Sequence, residues 1–241
     1  MPKFMRRIHQ AAKANLERGD RAWAYLRSRG VDPEQINAYG LGWFPEDEWP
    51  PYVEEGESEA ADQYRNWSGK GVRLRGKLFL PLHDPAGHVV GFQLRTPSHE
   101  EKDYSRFQIE RSKAQAVLFG VRQAMPHIWE TGEVYLVEGS FDLFPMARIR
   151  PNTVAVGTSR LMGRQREFVR RFADRVCFAF DMDEQGEMGF QKFRDDYGSE
   201  LEVIRVTFDG NDVADAWRRV GDAGLEEAVR LSVDPLGLRG G

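Results

Sequence analysis

Two short apolar runs that stop abruptly at acidic residues constrain this chain more than any other feature. Val134-Tyr135-Leu136-Val137 ends in Glu138-Gly139, and Val176-Cys177-Phe178-Ala179-Phe180 ends in Asp181-Met182-Asp183. Runs this short, β-rich and apolar on both faces read as buried strands of a parallel sheet. Ligands bind at the carboxyl ends of such strands, so Glu138, Asp181 and Asp183 are expected on one rim. Clustered carboxylates repel one another unless a cation shares the site, which points to a hard-metal centre. A blander reading competes: an Asp after a strand is commonly a turn residue or a helix N-cap. Asp142 fits a first-turn acid favoured by the helix dipole. Two acid-tipped strand ends, one of them Asp-x-Asp with both side chains to one side, favour the metal.

The surrounding pattern alternates. Strands are expected near 134–137, 153–156, 176–180 and 202–206, with helices near 141–148, 163–173 and 187–197. Such alternation implies a parallel sheet with helices on its faces. Pro145 lies inside the first of these helices and is expected to kink it. Asn211-Asp212 opens a further helix and would bring Asp212 to the same rim, and a weak helix near Leu225–Leu231 follows.

The first half reads differently. Two helices are expected before Gly30, then a short one with Asp32 as N-cap and Pro33 at its first position, closed by Gly40. Leu41–Phe44 is expected to be extended, and the acidic stretch to about Tyr64 to be a loop with little core of its own. Val72–Arg75, Leu78–Leu82 and His88–Leu94 read as β-structure, with Asp84-Pro85-Ala86-Gly87 as a type I turn. Arg73, Arg75, Lys77 and Arg95 would project from its solvent face. The fold class is therefore α/β: a mixed α+β subdomain over residues 1–130, a parallel-sheet Rossmann-like domain over 131–215, and a short C-terminal helix and tail over 216–241.

Charge and cysteine usage narrow the function. The single cysteine, Cys177, is expected in the core, and one cysteine excludes a disulfide framework or a Cys-based zinc ribbon, so no zinc is expected. No apolar run approaches a membrane span, and the start lacks a signal-peptide apolar region, so a cytoplasmic protein without a membrane partner is expected. A net charge of −4 argues against indiscriminate nucleic-acid binding, yet eight arginines fall between Arg148 and Arg175. They form either a solvated helix face or a phosphate-tracking surface beside the rim.

Several motifs together carry a resemblance. Val137-Glu138-Gly139-x-x-Asp142, Ala155-Val156-Gly157-Thr158, Phe180-Asp181-Met182-Asp183 with Gly186, and Gly210-Asn211-Asp212 resemble the TOPRIM motifs of DnaG-type bacterial and phage primases. Leu80-Pro81-Leu82-x-Asp84-x-x-Gly87-x-Val89-Val90-Gly91-Phe92-x-x-Arg95 resembles the basic subdomain particular to primases, and Tyr25-Leu26-x-x-Arg29-Gly30-Val31 is similar to the family's start. The resemblance implies Glu138, Asp181 and Asp183 as catalytic carboxylates, with Asp142 and Asp212 completing a set that holds Mg²⁺ or Mn²⁺. It implies Arg75, Lys77, Arg95, Lys102, Tyr104 and Lys113 as nucleotide- or template-binding residues. The chain departs from the family where Asp103 separates Lys102 from Tyr104, Lys113 sits one residue early, Asn211 replaces a lysine and Ala214 an acid, with Asp215 next to it.

The function implied is DNA-dependent synthesis of short RNA primers on single-stranded DNA from nucleoside triphosphates. A replicative helicase, or a zinc-binding or helical module supplied in trans, is the implied partner. Two readings compete: a TOPRIM metal-dependent nuclease using the same acids, and a primase-like binding subunit of a replication or defence assembly.

Overall fold

A computed structural model describes residues 2–16, 20–98, 104–108 and 117–234. The chain divides into two compact units, Met1–Gln115 and Ala116–Gly241.

The first unit opens with helices α1 (Lys3–Leu16), α2 (Asp20–Ser28) and α3 (Pro33–Tyr39). The ends of α3 are set by local chemistry. Asp32 accepts from the Gln35 N–H at 2.7 Å, the Gln35 side chain accepts from the Asp32 N–H at 3.3 Å, and Gly40 closes the helix in the left-handed region. Strands β1 (Gly42–Phe44), β2 (Lys77–His83), β3 (Val89–Arg95) and β4 (Tyr104–Gln108) then form an antiparallel sheet in that order. The β2–β3 connection is the expected turn, with the Gly87 N–H on the Asp84 carbonyl at 2.9 Å. Phe79, Phe92, Leu94 and Phe107 of the sheet pack with Phe4, Met5 and Ile8 of α1 into one core.

Two expectations for this unit change. Val72–Leu74 is a turn of 3-10 helix and not a strand. The acidic stretch is not a coreless loop: it contains helix α4 (Glu59–Ser68), and Val53, Ala61 and Tyr64 are core residues. The reason is apolar burial, with Tyr64 packed against Phe4, Phe92 and Phe107 and the helix capped by Ser58 and Gly69, while ion pairs offset part of the charge. Glu46 meets Arg21 at 3.0 Å, Glu57 meets Arg7 at 2.7 Å and Glu55 meets Arg65 at 2.9 Å, so part of the acid run is tied down by basic residues of the helices.

The second unit alternates as expected. Helix α5 (Val121–Thr131) leads into β5 (Glu133–Val137), α6 (Leu143–Ile149), β6 (Thr153–Ala155), α7 (Gly163–Phe172), β7 (Arg175–Ala179), α8 (Glu184–Tyr197), β8 (Glu202–Arg205) and α9 (Val213–Val233). The strands lie parallel in the order β6-β5-β7-β8. Strands β5, β6 and β7 are buried almost throughout, as continuous apolar runs require, and Cys177 is buried within β7. Phe119 exchanges two 2.9 Å backbone bonds with Ala155 and covers the β6 edge. Pro145 does not kink α6. The helix starts at Leu143, so the proline sits in its first turn, where no intrahelical N–H is needed. Helix α9 breaks at Gly221 (φ 68), which separates the segment after Asp212 from the last helix.

Candidate active site

Topology brings Glu138 and Asp181 together. Strands β5 and β7 are adjacent and in register through Val137 and Ala179, so the residues just past their ends share the sheet's carboxyl edge. The Asp181 N–H donates to Glu138 Oε1 at 3.3 Å, and the Gly157 N–H, beyond β6, donates to the Glu138 carbonyl at 2.8 Å. Burial, then the nearby charges of Asp181 and Asp183, push the Glu138 carboxyl up to about 7. Gly186 lets helix α8 approach this closely. A Cβ there would lie 2.2 Å from the Asp181 carbonyl oxygen and 3.1 Å from Glu138 Oε1.

The other acids have a second duty. Asp183 caps α8 by accepting from the Gly186 N–H at 2.8 Å, and Asp212 caps α9 by accepting from the Asp215 N–H at 2.6 Å. Asp142 is buried and does not cap its own helix; its Oδ1 accepts from the Ala214 N–H of α9 at 3.1 Å. Asp215 accepts from the Asn211 N–H at 3.1 Å and pairs with Arg219 at 2.9 Å and Arg218 at 3.2 Å, which holds its pKa below the usual range.

Arg205 was not among the residues singled out in the sequence. It ends β8, donates to the Asp181 carbonyl at 2.8 Å and lies 3.5 Å from Glu187. Burial lowers its pKa, while Glu187, Glu138, Asp181 and Asp183 oppose the shift, so one resident cation already faces this acidic rim. The sequence shows only a cation at the end of a strand, which gains its meaning once that strand is placed beside β7.

Whether these acids suit a divalent ion is decided by their chemistry. Among the described residues, no group of three or more His, Cys, Asp or Glu side chains is gathered closely enough to form a metal cage. Magnesium rarely needs one: it keeps several waters and is held by one or two carboxylates plus substrate phosphates. A Glu138 carboxyl raised first by burial and then by the Asp181 and Asp183 charges is part of a donor set that a cation would relieve. The donor set fits a hard divalent ion of that kind.

The basic residues of the first unit do not form one row. Register pairs Leu78 with Arg95 and Lys77 with Phe44, so Lys77 and Arg95 leave the sheet on opposite faces. Lys77 donates to Thr96 Oγ1 at 2.5 Å. The Arg75 guanidinium stands 4.9 Å from the centre of the Trp49 ring. Tyr104 pairs with Arg95 through the backbone, and Lys102 and Lys113 lie outside the described residues. Most of the Arg148–Arg175 cluster is held in ion pairs between elements: Arg148 pairs with Asp222, Arg150 with Glu226, Arg166 with Asp196, Arg170 with Glu200, and Arg175 of β7 with Glu133 of β5 and Glu202 of β8. No helix among the described residues is long and apolar enough to cross a membrane.

Comparison with known proteins gives the same two parts. Residues 9–125 match the family described as DNA primase catalytic core, N-terminal domain, and residues 135–217 match the Toprim-like family. The DNA primase of Aquifex aeolicus is 29% identical over 195 residues, covering 75% of this chain and 38% of that protein. The DNA primase of a Neisseria meningitidis serogroup A strain is 25% identical over 235 residues, covering 89% and 39%. The chain thus spans about two-fifths of the length of these relatives. A DnaG primase catalytic domain solved bound to single-stranded DNA superposes with a TM-score of 0.77 at 20% identity, covering 95% of this chain and 80% of that one.

Proposed function

Because this chain belongs to the family of DnaG-type primase catalytic cores, we propose that it joins nucleoside triphosphates into short RNA primers on single-stranded DNA. The observation that carries the reading is the Glu138–Asp181 pair at the tips of adjacent parallel strands. It gains its meaning from the primase-type N-terminal domain that precedes it, since acid-tipped sheets of this kind also occur in other phosphoryl-transfer enzymes.

Joining nucleotides requires activation of a 3′-hydroxyl and stabilisation of charge on the transferring phosphoryl group. We assign the first task to Glu138. Its carboxylate accepts from the Asp181 N–H at 3.3 Å and so stands at the centre of the acid rim, where a proton acceptor for the hydroxyl is required. Asp181 and Asp183, supported by Asp142 and Asp212, would hold Mg²⁺ or Mn²⁺, which supplies Lewis-acid stabilisation of phosphoryl oxygens. Arg205 fixes the Asp181 backbone through its 2.8 Å bond and keeps the acid rim from carrying its full negative charge. Arg75 and Arg95 of the first unit, together with Lys102 and Lys113, are the proposed phosphate-binding cations, and Tyr104 and Lys77 belong to the same proposed set. A helicase that recruits the chain is the proposed partner in the cell.

The test is primer synthesis on mixed-sequence single-stranded DNA with labelled nucleotides in Mg²⁺ or Mn²⁺. Short products that vanish in Glu138→Gln and Asp181→Asn proteins are expected. Carboxylate-dependent loss of the template without products would replace this reading with a nuclease.

A further inference from the structure

The segment between Glu46 and Val53 carries two aromatic side chains that the core does not use. Trp49 is 63% exposed and Tyr52 is 72% exposed. The segment is nonetheless held firmly. Glu46 is paired with Arg21 at 3.0 Å and rests on Gly76 (φ +67), where a Cβ would come within 2.8 Å of the Glu46 side chain. Pro50 packs on Gly71, and Val53 is buried. Single exposed rings are common on protein surfaces, but these two lie on the wall of one cavity and so form a joint surface. They border a cavity of about 190 Å³ whose wall includes Pro51, Tyr64, Ser68 and Lys70.

The surrounding charge identifies the occupant. The Arg75 guanidinium covers part of the Trp49 ring at 4.9 Å, and the remaining exposure of that ring leaves an aromatic surface open. Lys70, Arg73 and Arg75 make no ion pair among the described residues, nor do Asp47 and Glu48 beside Trp49, whereas Glu46, Glu55 and Glu57 of the same stretch are paired with Arg21, Arg65 and Arg7. An apolar protein anchor gains nothing from Lys70 on the cavity wall or from the Arg75 guanidinium over the ring. An open aromatic face beside such cations suits a strand whose base stacks while its phosphate is neutralised.

We propose that Trp49 and Tyr52 form a stacking platform for a base of single-stranded DNA, with Arg75 and Lys70 on the adjoining phosphate. This rests on the template reading above and extends it to two aromatic residues on a loop whose other visible feature is its acidity.

The experiment measures binding of a fluorescein-labelled oligo-dT by anisotropy across a salt series, for the whole chain and its Trp49→Ala, Trp49→Phe, Tyr52→Ala and Lys70→Ala variants. Loss of a stacked base weakens binding by about tenfold or more, so Trp49→Ala and Tyr52→Ala should each lose about that much with an unchanged salt slope. Trp49→Phe should stay within about threefold, because a ring remains to stack. Lys70→Ala should lower the salt slope instead, because it removes a phosphate contact. DNA should also quench intrinsic fluorescence in the wild type more than in Trp49→Phe. Equal binding by wild type and Trp49→Ala, or equal quenching of wild type and Trp49→Phe, would overturn the platform while leaving the template reading standing. Absence of any oligo-dT binding by the wild type would remove both readings.

Discussion

The two sheets hold their charged groups by different means. In the parallel sheet, acids sit past the ends of strands, and helices begin there, so Asp183 and Asp212 are fixed by the N–H groups of the helix that follows each. In the antiparallel sheet, cations sit along the strands, and the period of two sends neighbours apart, so Lys77 and Arg95 emerge on opposite faces. Position just past a strand end is therefore shared by Glu138, Asp181 and Asp183. Position along a strand is not shared by the basic set, which must be assembled from separate faces, loops and ring contacts.

The sharpest test of the first arrangement is Gly186→Ala. A Cβ would lie 2.2 Å from the Asp181 carbonyl, and backbone cannot yield there without moving the Glu138–Asp181 pair. We expect primer synthesis to fall by more than about 100-fold, with a stability loss of about 1–3 kcal/mol in urea melts. A Gly186→Ala protein with full activity would break the link between strand-end geometry and catalysis.

Asp183 separates the two duties of the acids. Asp183→Ala should cost about 1 kcal/mol from the lost cap, while Asp183→Ser keeps a capping oxygen and should melt within a few tenths of a kcal/mol of wild type. Both should lose primer synthesis if the carboxylate also holds a cation. An active Asp183→Ser protein would reduce the residue to a helix cap.

The pH dependence of stability tests Glu138. Its carboxyl is raised in the folded state, so the folded protein binds the proton more tightly than the unfolded chain. The stabilising contribution is full below the unfolded carboxyl pKa and is lost as pH rises through about 7. In chelator, Glu138→Gln should therefore gain on wild type between about pH 5 and pH 8, by about 1 kcal/mol once solvent screening of this half-buried group is allowed for. Parallel melting curves across that range would remove the strained carboxyl.

The smallest effect sharpens the contrast from the other sheet. Arg95→Ala should weaken single-stranded DNA binding severalfold and lower the salt slope, whereas Lys77→Ala, turned to the other face and bonded to Thr96, should change both less.

The same contrast explains what could be read beforehand. The parallel sheet, its order of helices, Glu138 and the Asp181 pair were legible because each is written in a few consecutive residues: an apolar run, an acid, a glycine. The capping box at Asp32 was legible for the same reason. The acidic stretch was misread because Tyr64 finds its aromatic partners, and Glu46 and Glu57 their arginines, through the fold, and no local pattern announces a partner 25 or more residues away. Arg205 escaped because its meaning depends on which strand lies beside β7. The expected solvent-facing row of cations failed for a related reason. Alternation within one strand is visible in a sequence, but the register between two strands is not.

The double duty of the acids has a bearing on descent. Asp183 and Asp212 start helices, and Asp142 ties α6 to α9, so folding alone would preserve all three in a lineage that had abandoned polymerisation. Their persistence in any relative says little about activity. Glu138 is the opposite case: at neutral pH its buried charge works against the fold, so a lineage without the proposed activity would gain stability by losing it. Position 138 is where an inactive descendant would show itself first.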